Sequence, residues 1–283
     1  MAAIEVTGLT KSYGSTHAVR GIDLTIAMGE IFALLGPNGA GKTTTVEILE
    51  GFRAPDSGDV RVLGFDPRGG GHAARQWRNR IGIVLQATSD SGDLTVSESI
   101  KHFSGYYSNP RGVDEVINAV GLDEKAGCLI RELSGGQRRR LDVGLGIIGN
   151  PELLFLDEPT TGFDPQARRS FWSLIKSFRN DGTTILLTTH YLDEAEALAD
   201  RVGVINHGQM LEISTPFELG GRSSAQAVIS WRDGDVIKTQ ATYNPTSFIG
   251  TLTSQFNGEI PELTVIRPSL EDIYLKMIGE AHE

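Results

Sequence analysis

One stretch of the chain concentrates residues that bind phosphate. Gly36-Pro37-Asn38-Gly39-Ala40-Gly41-Lys42-Thr43 fits the pattern Gly-x-x-x-x-Gly-Lys-(Ser/Thr). Glycines at 36, 39 and 41 let the backbone bend so that several N–H groups point inward at phosphate oxygens. A helix opening at Lys42 adds positive potential. The Lys42 ammonium suits the terminal phosphates of a nucleotide, and the Thr43 hydroxyl, with Thr44 beside it, suits Mg2+. Far downstream, the apolar run Leu153–Leu156 ends in Asp157-Glu158-Pro159. Carboxylates at the C-terminal end of a buried strand stand where open parallel sheets bind ligands. Asp157 suits a Mg2+ shell, and Glu158 suits polarising a water for attack on a terminal phosphate. Alone, such a strand end reads equally well as a solvated turn; the phosphate loop tips the reading towards chemistry.

The elements that must hold these groups are legible as short apolar runs. Ile4-Glu5-Val6 and the alternating Ile22–Ile26 read as strands. Glu30–Leu35 is too short for a helix and reads as a buried strand feeding the phosphate loop. A helix follows from Lys42 to Gly51, then a strand at Asp59–Leu63, a loop at Gly69-Gly70-Gly71 and a strand at Ile81–Leu85. Residues from about 97 to 150 turn helical. Strands return at Leu153–Leu156, Thr184–Thr188 and Val202–Asn206, separated by helical patterns near 165–179 and 191–199. This alternation predicts a parallel, helix-flanked sheet with a helical insertion. After Pro216 the pattern weakens to strands at Ala227–Trp231 and Leu263–Ile266 and a helix at Leu270–Ile278. Domains are therefore expected at 1–215, with a helical part about 87–150, and at 216–283 as a small accessory domain.

Composition narrows the partners. The 283 residues are 39% hydrophobic, enough to bury a core, and carry a formal net charge of −10. An acidic chain disfavours general nucleic-acid binding. The single cysteine, Cys128, leaves no disulfide or cysteine metal cluster within the chain and reads as a small hydrophobe. No run of ~18 apolar residues suggests a membrane span, and the first residues lack a signal-peptide pattern. Arg138-Arg139-Arg140 reads as a solvated helix face, and Trp77, Trp172 and Trp231 as packing residues.

Leu133-Ser134-Gly135-Gly136-Gln137 lies between the phosphate loop and the carboxylate pair, a short loop opening a helix and a second potential anion site. With Thr161-Gly162-Phe163-Asp164 and Thr188-Thr189-His190 in the same order, residues 4–215 resemble the nucleotide-binding subunit of ATP-binding cassette (ABC) transporters. The resemblance implies a P-loop NTPase fold of class α/β. It would have a parallel-rich central sheet, an antiparallel N-terminal β subdomain and a helical insertion, followed here by a small C-terminal α+β domain. It implies ATP and Mg2+ as ligands. Tyr13 would stack on adenine. Gln86 would touch Mg2+ and the attacking water, and His190 the γ-phosphate. Ser134 and its glycines would face the γ-phosphate held by an opposite subunit, with Asp164 in the loop linking the two sites. Thr161 and Phe163 stand where Ser and Leu are commoner in that loop.

The resemblance further implies a dimer, with a second copy or a sister subunit, and a separate membrane permease docked on the helical stretch between Gln86 and Leu133. The place of work would be the cytoplasmic face of the membrane. Arg267-Pro268-Ser269-Leu270-Glu271-Asp272-Ile273-Tyr274 is similar to the tail of drug- and antibiotic-resistance exporters. Two rivals remain at this point. A soluble ABC ATPase acting on ribosomes or DNA is disfavoured by one cassette, no heptad run and acidic charge. A small-molecule kinase has no use for the Leu133–Gln137 loop.

Overall fold

Alternating apolar residues at the start of the chain form two long paired strands, β1 (Ala2–Tyr13) and β2 (Thr16–Ala27). The computed structural model describes residues 1–85, 92–256 and 258–280. Next come β3 (Ile31–Leu35), α1 (Lys42–Leu49), β4 (Ser57–Val62), α2 (Gly71–Arg78) and β5 (Ile81–Val84). Three helices follow: α3 (Val96–Ser104), α4 (Val113–Ala119) and α5 (Gly135–Ile147). Strands and helices then alternate through β6 (Leu153–Asp157), α6 (Pro165–Asn180), β7 (Thr184–Thr188), α7 (Leu192–Leu198) and β8 (Arg201–Asn206), closing with β9 (Gln209–Ser214). Two compact units result, Met1–Ile213 and Ser214–Glu283.

The first unit holds a six-stranded sheet in the order β5-β6-β7-β3-β8-β9, and its pairs from β5 to β8 are parallel. β3 and β7 are buried at all five positions, which is why they read as unbroken apolar runs. A separate antiparallel sheet, β2-β1-β4, sets Val6 between Leu24 and Val60. Its inward residues join Phe32, Phe155 and Leu186 in one core. Each such side chain contributes roughly 1.5–3 kcal/mol by leaving water.

Gly71, expected within a loop, instead opens α2. The helix is held by Ala74 and Trp77, three apart and both buried, with the Trp77 ring stacked 5.5 Å from Phe65. In the second unit, β10 (Ala227–Asp233), β11 (Val236–Thr242), α8 (Pro245–Phe256), β12 (Thr264–Ile266) and α9 (Leu270–Glu280) build a sheet in the order β11-β10-β12. Ile229 and Trp231 pack there on Leu252 of α8. Among the described residues no helix is long and apolar enough to cross a membrane.

Candidate active site

Strand order does the assembling. β6, β7 and β3 are neighbours, with Asp157 in register with Thr188 and Thr188 with Leu34. Three sequence-distant segments therefore leave the same sheet edge together: the phosphate loop, Asp157-Glu158 and Thr188–His190.

The loop from Gly36 to Gly41 wraps the start of α1. Gly41 sits at φ +107, and a side chain there would place its Cβ 2.4 Å from the Ala18 carbonyl oxygen. Only glycine lets the loop lie this close to β2. Lys42 is buried, and its Nζ donates to the carbonyls of Gly36 at 2.7 Å and Pro37 at 3.2 Å. Burial lowers its pKa, while the charges of Glu158 and Asp157 oppose that shift. Thr43 is exposed and Thr44 half-buried at the open side of the helix start.

Thr188 organises the carboxylate pair. Its hydroxyl donates to Asp157 Oδ1, and the Glu158 N–H reaches both its carbonyl at 3.1 Å and its hydroxyl oxygen at 3.2 Å. Glu158 occupies the left-handed region at φ +44, a conformation costing roughly 1–3 kcal/mol outside glycine. Such strain persists where surrounding bonds over-determine it, as these do. His190 Nδ1 lies 3.3 Å from Glu158 Oε1, and the Thr161 hydroxyl donates to Oε2 at 3.3 Å. The Tyr191 ring packs 4.1 Å from that of His190, and the Arg168 guanidinium lies 4.2 Å from the Tyr191 centroid.

Other expected site residues sit at helix starts and strand ends. Ser134 caps α5 in a reciprocal box: its hydroxyl accepts from Gln137 N–H at 3.3 Å, and its own N–H donates to Gln137 Oε1 at 3.0 Å. Ser134 and Gly135 are exposed, and Gly136 is half-buried. Asp164 caps α6, accepting from Gln166 and Ala167, each at 2.9 Å. Tyr13 ends β1 with its ring exposed, Lys11 and Arg53 lying 5.7 and 5.6 Å from its centroid. Lys42, Asp157, Glu158 and His190 thus form one group, whereas the bonds of Ser134 and Asp164 close on their own helices. Gln86 lies outside the described residues.

The arginine run departs from expectation. Arg139 is buried, not solvated, and its guanidinium donates to the carbonyls of Pro159 at 3.0 Å, Asp157 at 2.7 Å and Leu85. It ties α5 to the strand end that carries the carboxylates. Its signal was available: Arg139, Val143 and Ile147 recur every four residues on the buried face of α5. Arg138 and Arg140 likewise donate to backbone carbonyls, of Ile130 and Val120. Trp172, expected only to pack, donates to the buried Glu194 at 3.2 Å. Glu50, at the end of α1, is also buried. Desolvation, with Asp157 and Glu47 nearby, pushes its carboxyl up to about 8.

Thr43 and Asp157 offer one hydroxyl and one carboxylate. Among the described residues no group of three or more His, Cys, Asp or Glu could hold a metal by itself. Hard oxygens, few in number, fit Mg2+, which takes the rest of its shell from phosphates and water.

The chain matches the ABC transporter family over residues 19–161. It is 36% identical over 303 residues to Nod factor export ATP-binding protein I of Ralstonia nicotianae, covering 98% of this chain and 94% of that protein. It is 42% identical over 223 residues to the daunorubicin/doxorubicin resistance ATP-binding protein DrrA of Streptomyces peucetius, covering 77% and 66%. A solved dimer of an ATP-binding cassette in a post-hydrolysis state, bound to ADP and Pi, shares the fold. Its TM-score is 0.68, with 23% identity, over 75% of this chain and 98% of that one. The small-molecule kinase reading falls with these matches. Alignment along almost the whole chain and a family match spanning the phosphate loop and the carboxylate pair lead to one conclusion: the chain belongs to the ABC transporter family, as one of its ATPase cassettes.

Proposed function

We propose that the chain is the ATP-hydrolysing subunit of an exporter, working as a dimer around two ATP and driving a separate membrane permease from the cytoplasmic face. One observation carries the reading: Lys42, Asp157, Glu158 and His190 converge at one sheet edge, while the Ser134 loop stays open at a helix start of its own. That division suits a site completed by a second cassette, and the solved relative in fold is dimeric. The printed names of the relatives, export of Nod factor and resistance to daunorubicin and doxorubicin, support export.

In the reaction, loop amides and Lys42 hold the β- and γ-phosphates. Thr43 and Asp157, with Gln86, would hold Mg2+, which neutralises charge on the phosphates when bound. Glu158 accepts a proton from water as its oxygen attacks the γ-phosphorus. The bond from that phosphorus to the bridging oxygen breaks, leaving ADP and inorganic phosphate. The His190 ring, with Nδ1 3.3 Å from Glu158 Oε1, keeps that carboxylate oriented. Tyr13 offers its ring to adenine, a stack worth about 1–3 kcal/mol. Donors of the Ser134 loop would stabilise γ-phosphate charge across the dimer.

The permease reading has a surface. A cavity of about 680 Å3 runs beside β5, α3 and α5, lined by Phe52, Leu85, Phe103, Tyr107 and Leu141. Phe52, a large apolar side chain, is 64% exposed there.

Glu158→Gln tests the chemistry. The amide keeps the shape but cannot take the proton, so hydrolysis should fall by orders of magnitude while ATP stays bound through gel filtration. A variant that retains no ATP and hydrolyses it at the wild-type rate refutes the assignment.

A further inference from the structure

The second unit carries an open sheet edge. β11 pairs with β10 through seven unbroken pairs, from Asp233↔Val236 to Ala227↔Thr242, and is the outer strand of its sheet. Its residues from Val236 to Ala241 are exposed whichever face they lie on. Natural edges are guarded by proline, bulges or several charges. β11 has neither proline nor bulge, and its one charge, Lys238, is drawn back to Asp233 at 2.6 Å.

The hairpin decides which backbone groups face outward. Asp233 and Val236 flank a two-residue turn with Gly234 at φ +61 in its first central position, the place glycine takes in a type II′ turn. The pair flanking such a turn exchanges hydrogen bonds, and bonded pairs alternate from there along the ladder. Val236, Lys238, Gln240 and Thr242 thus turn their N–H and C=O groups to β10. Ile237, Thr239 and Ala241 aim theirs at the open edge.

We propose that a second copy of this chain adds at this edge, its β11 antiparallel to the first with Thr239 opposite Thr239. The two three-stranded sheets then join as one. This register places every outward backbone group of both strands in a bonded pair. Centring on Lys238 would set two ammonium groups face to face, and centring on Gln240 would leave Ile237 opposite Tyr243, beyond the strand. The side chains agree. Ile266, Val228 and Ala241 are cross-strand neighbours, and the partner's Ile237 extends their row. In the single chain Ile237 and Ile266 are 60% and 61% exposed. The adjoining row of Thr264, Ser230 and Thr239 continues into its own mate, a run of hydroxyl residues that pair favourably across strands. The contact needs no nucleotide and goes beyond the function proposed above.

The test uses the full chain without nucleotide. In a Cys128→Ser background, Thr239→Cys should crosslink to its own mate under mild oxidation or with a short bis-maleimide, since bonded partners lie about 5.5 Å apart at Cα. Ser230→Cys should not, being three strand spacings, about 14 Å, from its mate. Thr239→Pro deletes an outward N–H without touching the β10 bonds, so it should still fold and melt cooperatively while the sedimenting species shifts from dimer to monomer. A Thr239→Cys chain that stays uncrosslinked, or a Thr239→Pro chain that sediments as wild type does, overturns the proposal. Repeating both in a Lys42→Ala chain separates this contact from the ATP-driven one. Crosslinking that persists while a Glu158→Gln, Thr239→Pro double variant fails to dimerise with ATP counts against the function above, not against this edge.

Discussion

Glu50 is ionised in an unfolded chain above its ordinary 4.5 but stays protonated in the fold up to about 8. The native state therefore binds the extra proton, and stability must fall as pH rises through that window. The contribution is full below 4.5 and lost above about 8. Thermal melts of the nucleotide-free chain against Glu50→Gln should show the wild type losing ground as pH rises from 5 to 9, with the variant flatter; parallel curves would remove Glu50 from the account. Its charge state was not legible in the sequence, because it depends first on burial and then on Asp157, both supplied only by folding. Lys42, Asp157 and Glu158 were legible because each belongs to a contiguous motif. Thr188 was read as a strand residue and as part of the Thr188–His190 motif, but nothing local shows that its hydroxyl meets Asp157.

The same contrast holds for elements. β3, β6 and β7 were legible as apolar runs because burial on both faces removes all alternation. β11 left no pattern, since both of its faces are exposed and nothing selects apolar residues at a period of two. α2 was hidden by its opening glycines, though Ala74 and Trp77 marked its buried face. The join between α5 and β6 rests on Arg139, which fills an otherwise apolar stripe. Arg139→Ala leaves three buried carbonyls without their donor, at about 1–3 kcal/mol for each one that stays unsatisfied, and should cost a few kcal/mol in urea denaturation. Arg139→Lys keeps the charge but not the planar fork, and should recover only part of the loss. Loss below 1 kcal/mol for alanine would show the guanidinium to be dispensable.

At the scale of the whole molecule, the shared sites proposed above make a prediction that no single-chain enzyme meets. Lys42→Ala removes the phosphate-loop charge, and Ser134→Arg fills the gap into which the opposite phosphate would fit. Each homodimer carries both of its sites damaged and should be inactive. A mixed dimer holds one site with both lesions and one intact, so ATPase activity should reappear on mixing, with a maximum near equal proportions. Activity at background in every mixture, while mixed dimers are shown to form, refutes the shared site. The proposal comes from the resemblance alone, because neither spacing nor periodicity ties Ser134 to another chain.

The hydrogen bonds from Lys42 to Gly36 and Pro37 bear on how fast a nucleotide binds. A lysine free in solution loses up to about 2 kcal/mol of rotamer freedom when a ligand orders it. Here that ordering was completed on folding, with the ammonium already inside the loop and solvated by the loop's own carbonyls. An arriving phosphate exchanges one set of acceptors for another around a stationary charge. Capture then takes the form of ligand exchange at a charge already in place, with no search by a mobile side chain.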